Sequence, residues 1–380
     1  MTPTLFYRRY LRRPHPWILA VILAVALLML WQGRTAWDFS AQSAGQTEPE
    51  LQGEVIQILG EEEVLSGPDQ VPILEQRLSV RLPDGRVTEV INDFAPVDEG
   101  DDIFIRGPFL DETGGETYAV AGVGRSMGIF ILAAIFVGVV LFITGKKGAY
   151  ALIGLTFTMA VIIAFIIPLI LRGFDPILVG IVGAGGCVLV TLYTAYGVNR
   201  KSVAALIGII IALGIVALTA QITVHALNFT GLAEEESAFL LYQTEAVRNF
   251  VGLLVAGIII AGLGVLDDVA VTQAATVEEI HRANPNLRGY RLFQRAMNVG
   301  RDHISAVINT LVLAYTGSAL PLLLLISFNQ FSSGFLLSNE LVAEEIVRTI
   351  ISSLGLVLAV PITTGVAIAL IERFRFRGEA

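Results

Sequence analysis

From residue 125 to residue 372 the chain is an almost continuous series of apolar segments separated by short polar connections. An apolar run of about 18 residues or more is long enough to cross the ~30 Å hydrocarbon layer of a bilayer as a helix. Lipid offers the backbone no hydrogen-bond partner, so each such run must be helical. Eight spans are expected: Trp17–Trp31, Arg125–Ile143, Ala149–Leu171, Pro176–Ala195, Val203–Gln221, Ala246–Leu266, His303–Phe328 and Ile346–Ile371. With 54% hydrophobic and only 16% charged residues, the totals agree with an α-helical polytopic membrane protein.

Sidedness follows from Lys and Arg, which favour cytoplasmic segments. With the N-terminus cytoplasmic, the inside segments hold 16 of the 25 basic residues, including Arg8, Arg9, Lys146, Lys147, Arg200, Lys201, Arg282, Arg288, Arg291, Arg295 and Arg301. The outside segments hold 27 of the 34 acidic residues. Both termini are therefore expected inside a bacterial plasma membrane, with residues 33–124 outside. Trp17 and Trp31 bracket the first span at the two headgroup layers. The alternative is a cleaved signal peptide, with Ala41-Gln42-Ser43 as the small-residue site. The expected division is 1–32 for a basic tail and first span, 33–124 for an outer domain, 125–372 for seven membrane helices and 373–380 for a cytoplasmic tail.

The segment 51–122 reads differently. Gly53–Leu59, Arg77–Leu82, Arg86–Ile91, Asp102–Arg106 and Thr117–Ala121 are short strand patterns, and Pro83-Asp84-Gly85 is a hairpin turn. About five strands in so short a segment predict a small all-β, OB-like barrel or sandwich. Between 33 and 124 there are 19 acidic and 5 basic residues. Acid on that scale keeps an external domain soluble, or concentrates cations at the membrane mouth. Glu61-Glu62-Glu63 and the acidic run at 98–102 lack the alternating oxygen ligands of a calcium loop. One cysteine and four histidines give no zinc spacing, so no metal or cofactor is expected. The net charge of −9 argues against nucleic acid as a partner.

Polar side chains at membrane depth are costly and face protein or water. In the sixth span Asp268, Thr272, Thr276 and Glu279 share one face, with Asp267 beside them and Gln273 in the same run. Two adjacent carboxylates need a compensating arginine, a cation or a proton. In the seventh span Asp302, Ser305, Asn309 and Thr316 form a second stripe; in the eighth, Arg348, Ser352, Gly355, Ala359 and Thr363 form a third, with Pro361 expected to kink the helix. Three neighbouring stripes of this kind would line a hydrophilic path. The competing explanation is close helix packing through small residues, as expected of Gly180 and Ala184.

Four segments resemble the YibE/F family of bacterial multi-pass membrane proteins: GLGVLDDVAVTQAATVEEI (262–280), GRDHISAVINTLVLAYTGSALPLLLL (300–325), EEIVRTIISSLGLVLAVPITT (344–364) and YGVNRKSVAALIG (196–208). The resemblance covers most of 125–371 and implies a transport role through architecture, without catalytic residues. The family's acidic motif falls on Asp268-Val269, with Asp267 as an additional acid.

Three functions compete. The first is a permease or channel for a small solute or ion; no phosphate-binding loop is present to hydrolyse ATP. The second is a scaffold that presents the outer domain to a partner. The third is an intramembrane aspartyl protease, which needs Asp267 or Asp268 to meet Asp302; its segment Gly264-Val265-Leu266-Asp267 departs from the GxGD pattern. The expected partners are the lipid bilayer and a second copy or another membrane protein.

Overall fold

A computed structural model describes residues 51–66, 71–110, 116–244, 246–328 and 333–376. The expected span at Trp17–Trp31 and the small-residue site at Ala41–Ser43 lie outside the described residues. The chain forms two compact units, divided between Gly145 and Lys146.

The first unit contains a closed five-stranded barrel: β1 Leu51–Ser66, β2 Val71–Arg81, β3 Val87–Asn92, β4 Asp102–Leu110 and β5 Glu116–Val123, in the order β1-β2-β3-β5-β4. Only β3 and β5 run parallel. Alternate residues point inward along each strand, so Val55, Leu78, Val80, Val90, Ile103 and Ile105 fill the interior. Gly85 takes the positive φ that the hairpin turn requires. Beside it, the Arg86 backbone N–H and then its guanidinium donate to Asp84 and hold that carboxyl below its ordinary range. β1 is longer than the alternation suggests: two register shifts bend it, and it carries Glu61-Glu62-Glu63 in pairing with β2.

Two amides hold the 93–101 connection to the barrel. Gln76 and Asn92 are 2% and 1% exposed. Asn92 Nδ2 donates to Gln76 Oε1 at 2.8 Å, and the Val97 N–H donates to the same oxygen at 2.9 Å. Gln76 Nε2 in turn donates to Val97 O and to Glu61. α1 (Ser126–Thr144) follows β5 and has no buried residue.

The second unit is helical throughout its described residues: α2 Lys146–Leu171, α3 Pro176–Tyr196, α4 Arg200–Ala226, α5 Glu235–Gln243, α6 Phe250–Ala283, α7 Gly289–Ser318, α8 Leu320–Phe328, α9 Ser333–Ser338 and α10 Glu340–Phe376. Side-chain caps mark the starts: Asp175 accepts from two amides of α3, Asn199 from Ser202 and Asn249 from Gly252. Asn249 also donates to Asp175, tying the beginnings of α3 and α6 together. α2 passes through a π turn at Ile162–Ile166, just before Pro168.

Among the described residues, α1, α2, α3, α4, α6 and α10 are long and apolar enough to cross a membrane, and α7 with α8 makes a seventh if the pair is one span. That pair corrects the expectation of one straight helix over His303–Phe328: the axis bends by 62° between Ser318 and Leu320. Pro321 has no N–H to donate to the carbonyl of Gly317, which removes a rung of the helix at that point. α10 runs on through Pro361.

α4, α6 and α10 pack against one another as the centre of the bundle, with α3 against α6 and α7 against α6 and α10. Crossings are made at glycines: Gly208 faces Thr363, Gly355 faces Val216, and Gly180 meets Ala256 as its small size suggests.

Replacing Gln76 by Leu strands two buried donors, the Asn92 amide and the Val97 N–H, and is expected to destabilise the barrel by about 3 kcal/mol. The readout is amide hydrogen exchange of β2 and β3 in the full chain, which should accelerate while the bundle helices keep their protection.

Candidate functional site

The depth of each polar residue follows from α3. Its 21 residues span about 31 Å by helical rise, one hydrocarbon thickness. α6 has 34 residues, about 51 Å, so its end projects well past Tyr196, the last residue of α3. Asp267 stands beside Thr191 of α3, about 7 Å inside the level of Tyr196 by helical rise. Its Oδ1 is buried and has no hydrogen-bond partner. The Thr191 hydroxyl donates instead to the Cys187 carbonyl of its own helix at 2.8 Å. Asp268 and Thr272 are exposed, as is Glu279; Thr276 is half-buried and donates to the Thr272 carbonyl.

The three stripes do not converge. That of α7 looks away from the bundle: Asp302, Ser305, Asn309 and Thr316 are all exposed, while Ile304, Val307 and Ile308 pack inward. Asp267 faces α3 and its charged neighbour is Asp268, so the paired aspartates that a protease needs are not assembled with Asp302.

The stripe of α10 is the one that turns inward. Glu344, Arg348, Ser352, Gly355, Ala359 and Thr363 recur at three- or four-residue spacing on one face. Glu344 is 4% exposed, and Ser352 and Thr363 are fully buried. Glu344 Oε1, Arg348 Nε, Ser352 Oγ and Thr363 Oγ1 are buried without hydrogen-bond partners. With Ser353 Oγ, which lies beside this face, five orphaned polar atoms fall along one core helix; that is many for a protein interior, where nearly every such atom is paired. The face lies between α4 and α6: Thr363 meets Gly208, and Ser352 and Gly355 approach Gly262 and Val216. The path expected along α6, α7 and α10 is thus displaced to α4, α6 and α10, where it is closed by contact.

Charged groups stand at both ends of this face. At one end Arg348 bonds Glu234 at 3.1 Å and Glu345 at 3.0 Å, while Glu340 accepts from the Thr230 hydroxyl and the Gly231 amide. At the other end a cleft of about 200 Å³ is lined by residues including Lys201, Ala204, Ala274, Glu278, His281 and Ala367. There Arg282 bonds Glu278 at 2.6 Å and Glu279 at 3.1 Å, with Lys201 Nζ 3.7 Å from Glu278. Between these ends Gln273, 3% exposed, donates to the Thr364 hydroxyl at 2.7 Å and to the Ala296 carbonyl at 3.2 Å, joining α6, α10 and α7.

Residues 132–373 match the family described as YibE/F-like protein. The chain belongs to the YibE/F-like family. No curated protein and no solved structure matches it. The family region takes in α2–α10 up to residue 373 and stops short of the barrel. The YibE/F-like region therefore contains the whole buried face of α10 and both charged ends. Glu344, Thr364, Lys201 and Glu278 complete this arrangement; Glu344 falls one turn before Arg348 on the same face, whereas helical spacing does not single out the other three. For Glu344 and Lys201 the available signal was a charged residue within one turn of an apolar run.

A side chain at position 355 would overlap Val216. Gly355→Val is expected to cost about 3 kcal/mol through overpacking. Gly365→Val, on the same helix with open space around it, should be close to neutral. Thermal unfolding of the two variants in detergent, side by side, checks this.

Proposed function

We propose that the chain is a permease or channel for a small solute or ion, whose path follows the buried polar face of α10 between α4 and α6. The observation that carries this is the row of unpartnered polar atoms from Glu344 through Arg348 and Ser352 to Thr363. Ordinary helix packing gives no reason to retain them: an unpaired polar atom in the core costs about 1–3 kcal/mol, and an apolar side chain of similar size would fill the same space without that cost. A path that hydrates when helices separate does give a reason, because it needs hydroxyls and charges along its wall. Glycine contacts at Gly208 and Gly355 close the route in this conformation. A small sliding of α10 past α4 would open it.

In this reading the chain is not an enzyme and sits in a bacterial plasma membrane with both termini inside. Lys201 and Arg282 then mark the cytoplasmic end of the path and Glu344 the outer end, in keeping with the Lys and Arg distribution. The barrel lies outside, and its strand order supports an OB-type fold. A scaffold role is the second reading, favoured by the barrel's own core and its place in a separate compact unit. It makes the barrel essential and the α10 face dispensable, so deletion of residues 36–122 separates the two.

Cysteine accessibility tests the path. In a Cys187→Ser background, Ser352→Cys in oriented vesicles should react with a small, membrane-impermeant cationic thiol reagent. We expect labelling at least tenfold faster than for Ala256→Cys, which lies in the contact of α6 with α3, away from this face. Equal, negligible rates at both positions, with Glu345→Cys labelled as the control, would sink the path.

A further inference from the structure

Among the described residues α7 is packed on one side. Met297, Ile304, Val307 and Ile308 lie against Val265 and Val269 of α6 and Leu356 and Val360 of α10. On the opposite side Arg295, Asp302, Ser305 and Asn309 are exposed. Gly300 touches Gln273, which fixes the height of the two helices. On that scale Asn309 lies about 12 Å inside the level of Tyr196, deep in the hydrocarbon layer. Ser305 satisfies itself by donating to the Arg301 carbonyl at 3.0 Å. The Asn309 amide has no partner among the described residues, and a free amide cannot face lipid without a penalty of several kcal/mol.

The remaining apolar segments of the chain cannot supply that partner. Between Met127 and Ile143, and between Ile18 and Leu30, there is no side chain with a hydrogen-bonding group. The partner must carry polar groups at the same depth. The chain displays such a surface on its own neighbouring helix. Gly257 and Gly264 of α6 are exposed with open space where a side chain would stand, and Asp268 and Thr272 continue that face. Gly264 lies at the height of Asn309, and the uncovered backbone there has carbonyls that can accept a second bond. Farther along, Arg295 and Arg301 of α7 stand at heights between Asp268 and Glu279 of α6, so charges of opposite sign come level.

We propose that two copies of the chain associate through these faces, the α7 stripe of each laid on the glycine-and-acid face of the other's α6. The contact is isologous about a two-fold axis along the membrane normal. α6 and α7 run in opposite directions, so each α7 meets the partner's α6 antiparallel, and the four helices form a bundle. Asn309 then donates to the α6 backbone beside Gly264 of the other copy, and Arg301 approaches its Asp268. This holds whether or not the α10 face conducts.

Disulfide trapping in lipid vesicles tests the arrangement. In the Cys187→Ser background, chains carrying Asn309→Cys are mixed with chains carrying Gly264→Cys and oxidised. Covalent dimers are expected at least tenfold faster than in mixtures of Asn309→Cys with Ile135→Cys, a position on α1. Single-molecule photobleaching in bilayers gives the second readout: Asn309→Leu should weaken dimerisation at least tenfold. A chain that stays monomeric at every density, or trapping no faster than the control, would overturn the proposal. So would a folded Leu variant that dimerises as the parent does. The trapping arm does not depend on that variant folding.

Discussion

Two helices approach as closely as α4 and α10 do only where one of them has no side chain at the crossing. Gly208 gives way to Thr363 and Gly355 to Val216, while Gly262 leaves room for Val216 and Ser352. In a bilayer, where lipid tails are as apolar as Leu, this close packing and a few interhelical hydrogen bonds supply the attraction. The rest of the helical unit is arranged around that contact: α3 leans on the far side of α6, and α7 covers the seam between α6 and α10. The same closeness brings the polar face of α10 into the core. Structure and candidate site are therefore set by one set of crossings, and a change that loosens them loosens both.

The candidate site combines two kinds of polar residue that resemble each other in the sequence. Gln273 donates to the Thr364 hydroxyl and the Ala296 carbonyl, and Thr364 in turn donates to the Val360 carbonyl, as structural polar groups in a helical bundle should. Ser352, Thr363 and Glu344 each hold an atom that nothing meets. The distinction is one of hydrogen-bond partners, and it separates polar groups that hold helices together from polar groups to which the packed bundle supplies no partner. Asp267 belongs with the second kind, since its buried Oδ1 is unpartnered, but it faces α3 and stands apart from the α10 face.

Much of this was legible in the amino acids. Apolar length located the six helices long enough to cross a membrane within the described residues, because lipid leaves the backbone no other choice, but it read the bent α7–α8 pair as one straight span. Alternation and the Pro83-Asp84-Gly85 turn located the strands. What could not be read was direction. Helical spacing tells which residues share a face, as it did for Asp302, Ser305 and Asn309 and for Arg348, Ser352 and Thr363, but not whether the face turns to the core or away. That depends on which helices pack together, and α4, α6 and α10 are far apart along the chain. The bend after α7 carried a local signal in Pro321, hidden by the apolar run on either side. The amides Gln76 and Asn92 gave no signal, since their pairing needs the closed barrel.

The order of the helices along the chain has a consequence for how the protein is made. Synthesis and membrane insertion proceed from the N-terminus, so α4 and α6 enter the bilayer before α10 exists. Until then the glycines of α4 and α6 border a groove with no occupant from this chain. α10, which follows them in the chain, must carry Glu344, Arg348, Ser352 and Thr363 to their places in the core, so it gains hydrogen-bond partners and packing only once it meets those neighbours. Assembly of the α4–α6–α10 crossings thus waits on α10, and without it the glycines at Gly208 and Gly262 would face an unfilled groove.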